Sequence, residues 1–264
     1  MTSRRRATLL LLVGGIGGFL FGAFGAGGGI IMVPLLVWLL GFDQRRASAT
    51  SLFAVIPTAI VGSIAYLIGG QLDLVAALLI GAGGVVGSLI GTRLLRSLPL
   101  AVLRWSFIVL LVLVAVRLLF TVPSRDAVLV LTPLSVVGLI VLGIAMGFLS
   151  GLFGIGGGVV LVPVLVGAFG VSDLIAKGTA LLAMIPTSTV GTVANIRAKL
   201  VAPRDGLFIG IAAGIGTAGG SFVAFLIPPR LSVILFAVLV LVSVVQLTIR
   251  AVRDHRAESA AKSA

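Results

Sequence analysis

Apolar residues run along this chain in long blocks, and the block lengths set the architecture. Six blocks, roughly 47–68, 74–95, 101–120, 176–196, 205–227 and 231–249, are each close to the ~20 residues a helix needs to cross a hydrocarbon layer. Two more, 7–40 and 133–170, are longer. A straight helix over 7–40 would extend ~50 Å, too long for one ordinary span, yet the block is too short for two full spans and a turn. Both long blocks are interrupted by glycine runs, so each is predicted to be a hairpin of two short helices broken at the glycines. The pattern predicts an all-α polytopic membrane protein.

The interruptions are copies of one another. Gly18–Val37 reads GFLFGAFGAGGGIIMVPLLV and Gly147–Val166 reads GFLSGLFGIGGGVVLVPVLV, with 13 of 20 positions identical at an offset of 129. The offset persists without a gap: Ala47, Thr50, Leu52, Pro57 and Gly62 match Ala176, Thr179, Leu181, Pro186 and Gly191, and Gly81, Gly87 and Gly91 match Gly210, Gly216 and Gly220. The chain is therefore read as two homologous repeats, 1–125 and 126–255, joined through Thr121–Asp126, with 256–264 as a tail. Each repeat carries one broken hairpin and three spanning helices. Non-helical backbone at membrane depth is tolerated only where protein or a water-filled cavity covers it. Paired breaks in matching halves mark a transporter with its site between them.

Charge decides the topology. If each long block enters and leaves on one side, 15 of the 19 Lys and Arg residues share the side of the N-terminus, and four (Arg117, Arg125, Lys177, Arg230) lie opposite. If each long block spans once, the split weakens to 12 against 7. Positive residues gather on the cytoplasmic side, which favours the hairpin and both termini in the cytoplasm. Three crossings per half then turn the second repeat upside down. The same rule accounts for the net charge of +12, and no basic run interleaved with aromatics suggests nucleic acid. Only 10% of residues are charged, against ~25% in soluble domains. Cysteine is absent, which removes disulfides, thiolate metal sites and cysteine nucleophiles. The opening MTSRRRATLLLLVGG imitates a secretory signal, but the residues after it align with the second repeat, so cleavage is not expected.

The candidate site follows from the breaks. Glycine permits positive φ and close backbone approach. A helix starting just after each run would turn free N–H groups toward an anion, helped by the helix dipole. Gly27, Gly28 and Gly29 with Gly156, Gly157 and Gly158 are therefore candidate substrate-binding residues, the alternative being close helix packing by small residues. Pro34 and Pro163 are expected to kink or end the helices that follow. Hydroxyls of Thr50, Ser51, Thr58, Thr179 and Thr187 are candidate donors to the same anion, and Ser48, Ser188 and Thr189 lie close in sequence. Their alternative is back-bonding to a helix carbonyl. Asn195, aligned with Tyr66, is a candidate ligand or an inter-helix hydrogen bond. Lys177 and Arg46 sit near helix ends, where snorkelling to the interface competes with attraction of anions.

The paired GxxGxGGGxxxxPxL segments, starting at Gly22 and Gly151, together with the duplication and the hydropathy, resemble the sulfite exporter TauE/SafE family of membrane permeases over nearly the whole chain. The resemblance implies transport of small anions, often sulfur oxyanions or organosulfonates, across the bacterial inner membrane, and the family name favours export. A passive anion channel is the near rival, and a non-transporting scaffold subunit a more distant one. The expected partners are a small anionic substrate and the lipid bilayer, with association of chain copies left open and no cofactor or metal implied. The acidic residues fall in loops, span ends or the tail and the lone histidine is His255, so no proton relay is evident in the spans; without a P-loop ATP-driven transport is not expected, and for lack of catalytic groups neither is catalysis.

Overall fold

A computed structural model describes the backbone of residues 3–25, 28–119 and 132–263, with the side chains of 3, 118, 119, 250 and 253–263 excepted. Gly27 and the connector Thr121–Asp126 lie outside the described residues. The first half comprises α1 (Ser3–Phe24), α2 (Gly28–Leu39), α3 (Gln44–Ile68), α4 (Leu74–Ser97) and α5 (Leu100–Leu119). The second comprises α6 (Pro133–Phe153), α7 (Gly158–Ala168), α8 (Asp173–Arg197), α9 (Pro203–Leu226) and α10 (Pro229–Ser263). All of these except α2 and α7 contain a stretch long and apolar enough to cross a membrane, eight candidate spans among the described residues. Large apolar side chains such as Trp38, Ile68 and Ile215 are exposed on the outer surface, as contact with lipid requires. Helix α10 continues through the segment read as a polar tail, whose Ala, Arg and Glu residues are sound helix formers.

The hairpins are asymmetric. Instead of two short arms, each has a span-length first arm, of 22 residues in α1 and 21 in α6, and a short second arm, of 12 in α2 and 11 in α7. Helix α1 ends where Gly25 adopts φ 67°, and α6 where Gly154 adopts φ 70°. Left-handed backbone of this kind closes a helix without a Cβ penalty. Both short arms run past their prolines to Leu39 and Ala168, so Pro34 and Pro163 do not terminate them.

Glycines bring helices from opposite halves into backbone contact. Gly14, Gly18 and Gly22 of α1 press on Ile209, Ala213 and Thr217 of α9, leaving no room for a Cβ. Adding 129 to the first set and subtracting it from the second gives the other interface: Gly143, Gly147 and Gly151 of α6 press on Ile80, Gly84 and Ser88 of α4. Small residues at four-residue spacing are what membrane helices use for such close approach.

The same contacts give directions. The rising pairs α1–α9 and α4–α6 run parallel, as do α3–α9 (Phe53 beside Gly206, Pro57 beside Gly210) and α4–α8 (Gly81 beside Pro186, Gly84 beside Thr187). Helices α3 and α8 run antiparallel, since Leu52 meets Gly191, Gly62 meets Leu181 and Tyr66 meets Gly178. The starts of α1, α3 and α9 therefore share one end of the bundle. Arg6 of α1 and Arg46 of α3 meet there on the carboxylate of Asp205 of α9, the Arg46 contact being 3.3 Å. Arg45 reaches the carbonyls of Leu95 and Leu98 at the end of α4, at 2.9 and 2.8 Å. The α1–α2 hairpin thus returns the chain to the end at which it began.

Candidate functional site

The two breaks meet in the middle of the bundle. Gly28, where α2 begins, lies against Gly17 and Phe21 of α1, and Gly157, which caps α7, lies against Met146 of α6. Each short arm therefore starts alongside its long arm rather than beyond it. A Cβ on Gly29 would strike the backbone of Ile155 in the other break. Gly156 lies against Val55 and Met184, each near the middle of a 25-residue helix. Gly156 and Gly157 have φ 76° and 80°, so this close approach depends on glycine twice over. Helix geometry leaves the opening N–H groups of α2 and α7 without intrahelical partners at this junction, while those of Val160 and Leu161 donate to the Gly157 carbonyl at 3.1 Å.

Polar side chains continue from the junction toward the arginine-rich end. On α8, Ser188, Thr192 and Asn195 follow Met184 at helical spacing and form one stripe; on α3, Ser51, Ser48 and Gln44 lead from Val55 toward the same end. All six are buried. Among the described residues, the hydroxyls of Ser48, Ser188 and Thr192, the amide nitrogen of Gln44 and both polar atoms of Asn195 have no hydrogen-bond partner. Buried polar atoms are nearly always paired, so six in one stretch single it out as the candidate site. Gly154, at the end of α6, packs on the backbone of Ser48 and fixes this stretch beside the second break.

The other half is closed. The residue matching Asn195 is Tyr66, whose hydroxyl donates to the Gly22 carbonyl at 2.9 Å. The residue matching Ser48 is Lys177, whose stem packs on Gly25 at the end of α1. Its ammonium donates to Asp173 Oδ2 at 3.1 Å and to Ser232 Oγ of α10 at 2.9 Å. Lys177 is only 4% exposed, so it does not snorkel to the interface as expected; the protein itself supplies its partners. Asp173 lies at a span end as anticipated, but buried.

The remaining predicted residues divide clearly. Thr50 Oγ1 is buried without a partner among the described residues. Its mate Thr179 is engaged, accepting from the Asp73 N–H at 3.0 Å near the α3–α4 loop. Thr58 and Thr187 donate to the carbonyls of Val55 (2.7 Å) and Ala183 (2.9 Å), and exposed Thr189 to that of Ile185 (2.7 Å), so these three back-bond within their helices. Ser51 Oγ reaches Met32 Sδ of α2 at 3.9 Å. Among the described residues Asn195 has no inter-helix hydrogen bond, the second of the two readings given for it. Thr192, Gln44 and the Asp173–Lys177 pair are missing from the sequence-derived set; the signal for the first two was their i, i+4 spacing from Ser188 and Ser48.

At the arginine-rich end, a cleft of about 460 Å³ opens between Arg6, Arg46, Arg204, Asp205 and Phe208. Arg46 lies 4.3 Å from the Phe42 ring centroid, which holds the guanidinium against the cleft wall. Three cations against one carboxylate make this mouth attractive to anions. No group of histidine or acidic residues able to hold a metal occurs among the described residues.

The sequence model described as Sulfite exporter TauE/SafE matches residues 1–118 and 139–264. A probable membrane transporter protein of Bacillus subtilis, YdhB, is 29% identical over 191 residues, covering 71% of this chain and 78% of its own. A probable membrane transporter protein of Xylella fastidiosa is 30% identical over 192 residues, covering 71% and 73%. One from Haemophilus influenzae is 34% identical over 172 residues, covering 60% and 61%. No solved structure matches.

Proposed function

Since the chain belongs to the sulfite exporter TauE/SafE family of membrane transporters, we propose that it exports small anions, of the class of sulfite or organosulfonates, across a bacterial inner membrane. The observation that carries this reading is the meeting of the two glycine breaks, with Gly29 on Ile155 and Gly156 between the midpoints of α3 and α8. We read residues 1–125 and 126–255 as inverted repeats, with support from the antiparallel α3–α8 pair and from glycine contacts that recur with their partners exchanged. The arginine-rich end is then cytoplasmic by the positive-inside rule.

An anion enters at the mouth lined by Arg6, Arg46 and Arg204. It moves along Gln44, Ser48, Thr192, Asn195 and Ser188, whose hydroxyl and amide groups replace part of its hydration. At the centre it meets the N–H groups that open α2 and α7, which favour negative charge by geometry and by dipole. Thr50 is retained as a donor near this path. Thr58, Thr179 and Thr187 contribute by shaping the backbone, since their hydroxyls are engaged elsewhere. The test is flux of labelled sulfite, methanesulfonate and sulfate into proteoliposomes, with Gly157→Val as the inactive reference. Equal, saturable flux by the variant would remove the site from the breaks.

A further inference from the structure

We propose that the buried Asp173–Lys177 pair is a latch that the transported anion itself opens: an oxyanion replaces the Asp173 carboxylate as the partner of the Lys177 ammonium. The inference rests on the transport reading above and supplies what its neutral donors lack, a compensating charge.

Four observations converge. First, the pair is buried, Asp173 and Lys177 being each 4% exposed. Charges placed in a spanning segment are costly and face a bundle interior or pathway. Second, the lysine adjoins the break, because its stem packs on Gly25 at the turn that precedes α2. Third, the matching residue in the other half, Ser48, lies against Gly154 through its backbone, within the polar stretch with unpartnered groups. One position in each half thus lies against the bend, carrying a neutral hydroxyl in one half and a charge in the other. Fourth, Lys177 ties two helices together, holding Asp173 within α8 and Ser232 on α10, so a change of partner changes how α8 is fastened.

The exchange is balanced in charge. A singly charged oxyanion takes the place of one carboxylate on one ammonium, and the charge in the low-dielectric interior balances only once the displaced carboxylate moves out to water. The displaced carboxylate is already in the first turn of α8. There the helix dipole favours a negative group, and the span end gives it a short route to water. The other candidate groups on this side are unsuited to the role: Tyr66 is held on Gly22, and Thr179 on Asp73. An anion arriving from the polar stretch thereby unfastens the closed half, which couples occupancy to opening.

The test measures [³⁵S]methanesulfonate flux in proteoliposomes for wild type, Lys177→Met, Lys177→Arg and Asp173→Asn, with melting in detergent as the folding check. A latch predicts opposite effects from its two members. Lys177→Met loses about tenfold or more of the flux, since the charged partner is gone, while Lys177→Arg keeps transport with a shifted KM. Asp173→Asn lowers KM, because the anion no longer competes with a carboxylate, and slows release. Parallel losses of flux and melting temperature in Lys177→Met and Asp173→Asn, or wild-type KM in Asp173→Asn, would show a structural staple. If the neutral variants do not insert, Lys177→Arg decides: an unchanged KM refutes the exchange. Wild-type protein inactive toward methanesulfonate, sulfite and sulfate alike would sink the transport reading and the latch with it, whereas full flux by Lys177→Met sinks the latch alone.

Discussion

Replacing Asn195 by leucine should make the protein more stable and a poorer transporter. Asn195 is fully buried near the end of α8, and neither its amide nitrogen nor its carbonyl oxygen has a partner among the described residues. Leucine has the same branched four-atom skeleton as asparagine, is bulkier, and brings no polar atom. Leaving buried polar groups unsatisfied costs ~1–3 kcal/mol, and Asn195→Leu recovers part of that. At ~2–4 °C per kcal/mol for a chain of this size, the melting temperature in detergent should rise by at least ~2 °C. The loss appears with substrate: a hydrogen bond to a charged group contributes ~1.5–3 kcal/mol, so apparent affinity should fall roughly 10- to 140-fold. Thermal melting of purified protein and anion flux in proteoliposomes supply the two readings. Its repeat-mate provides the control, because Tyr66→Phe removes a made hydrogen bond and should lower stability by ~0.5–1.5 kcal/mol. Wild-type affinity with Asn195→Leu, or a fall in stability alongside the loss of flux, would mean that Asn195 is structural and that the polar stretch is not the path.

Other expectations follow from the same geometry. Gly157→Val should abolish flux with insertion largely intact, because φ 80° and the contact with Met146 exclude a β-branched side chain, as transport beside cell-surface labelling will show. Gly18→Leu should instead prevent proper assembly, costing ~1–3 kcal/mol or more through overpacking against Ala213, measured as yield of folded protein. Arg46→Gln should raise KM at low ionic strength, with the difference fading as salt screens the mouth, measured as flux against salt concentration. In this cysteine-free chain, single cysteines at Arg45 and Arg96 should be labelled from one side and one at Gln71 from the other; labelling of positions 45 and 71 from the same side would remove the hairpin.

Span existence was legible because a helix that crosses lipid must be apolar over a fixed length, and the block at 74–95 became α4 with only its last two residues missed. The breaks were legible in outline because matching glycine runs interrupt two apolar blocks that are each too long for one span, which helix packing by small residues alone does not require. The unequal arms were not, since α1 and α2 are alike in apolar character and only packing of Gly28 against Gly17 sets where the second arm begins. Lys177 was misjudged for a related reason. Asp173 stands four residues before it in plain view, but Ser232, which also accepts from its ammonium, is 55 residues further on. Thr50 and Thr179 look equivalent in sequence, yet only Thr179 meets the backbone of a loop, at Asp73. Repetition predicts matching positions but not which neighbours each copy acquires.

The exchanged glycine contacts also constrain how the protein is made. The groove in α1 that begins at Gly14 has its partner on α9, and Thr217 reaches the Gly18 carbonyl across 199 positions of sequence. At ~5–20 residues per second, a ribosome needs roughly 10–40 s to deliver that partner after α1 has emerged. For that interval α1 must wait in the bilayer with a strip of bare backbone exposed, open to capture by any other small-residue helix nearby. Neither half can finish its own packing, so proper assembly depends on a late arrival. A pair of separately expressed halves should therefore recover the fold only when both are present in the same membrane, and a lone first half should be a substrate for quality-control proteolysis.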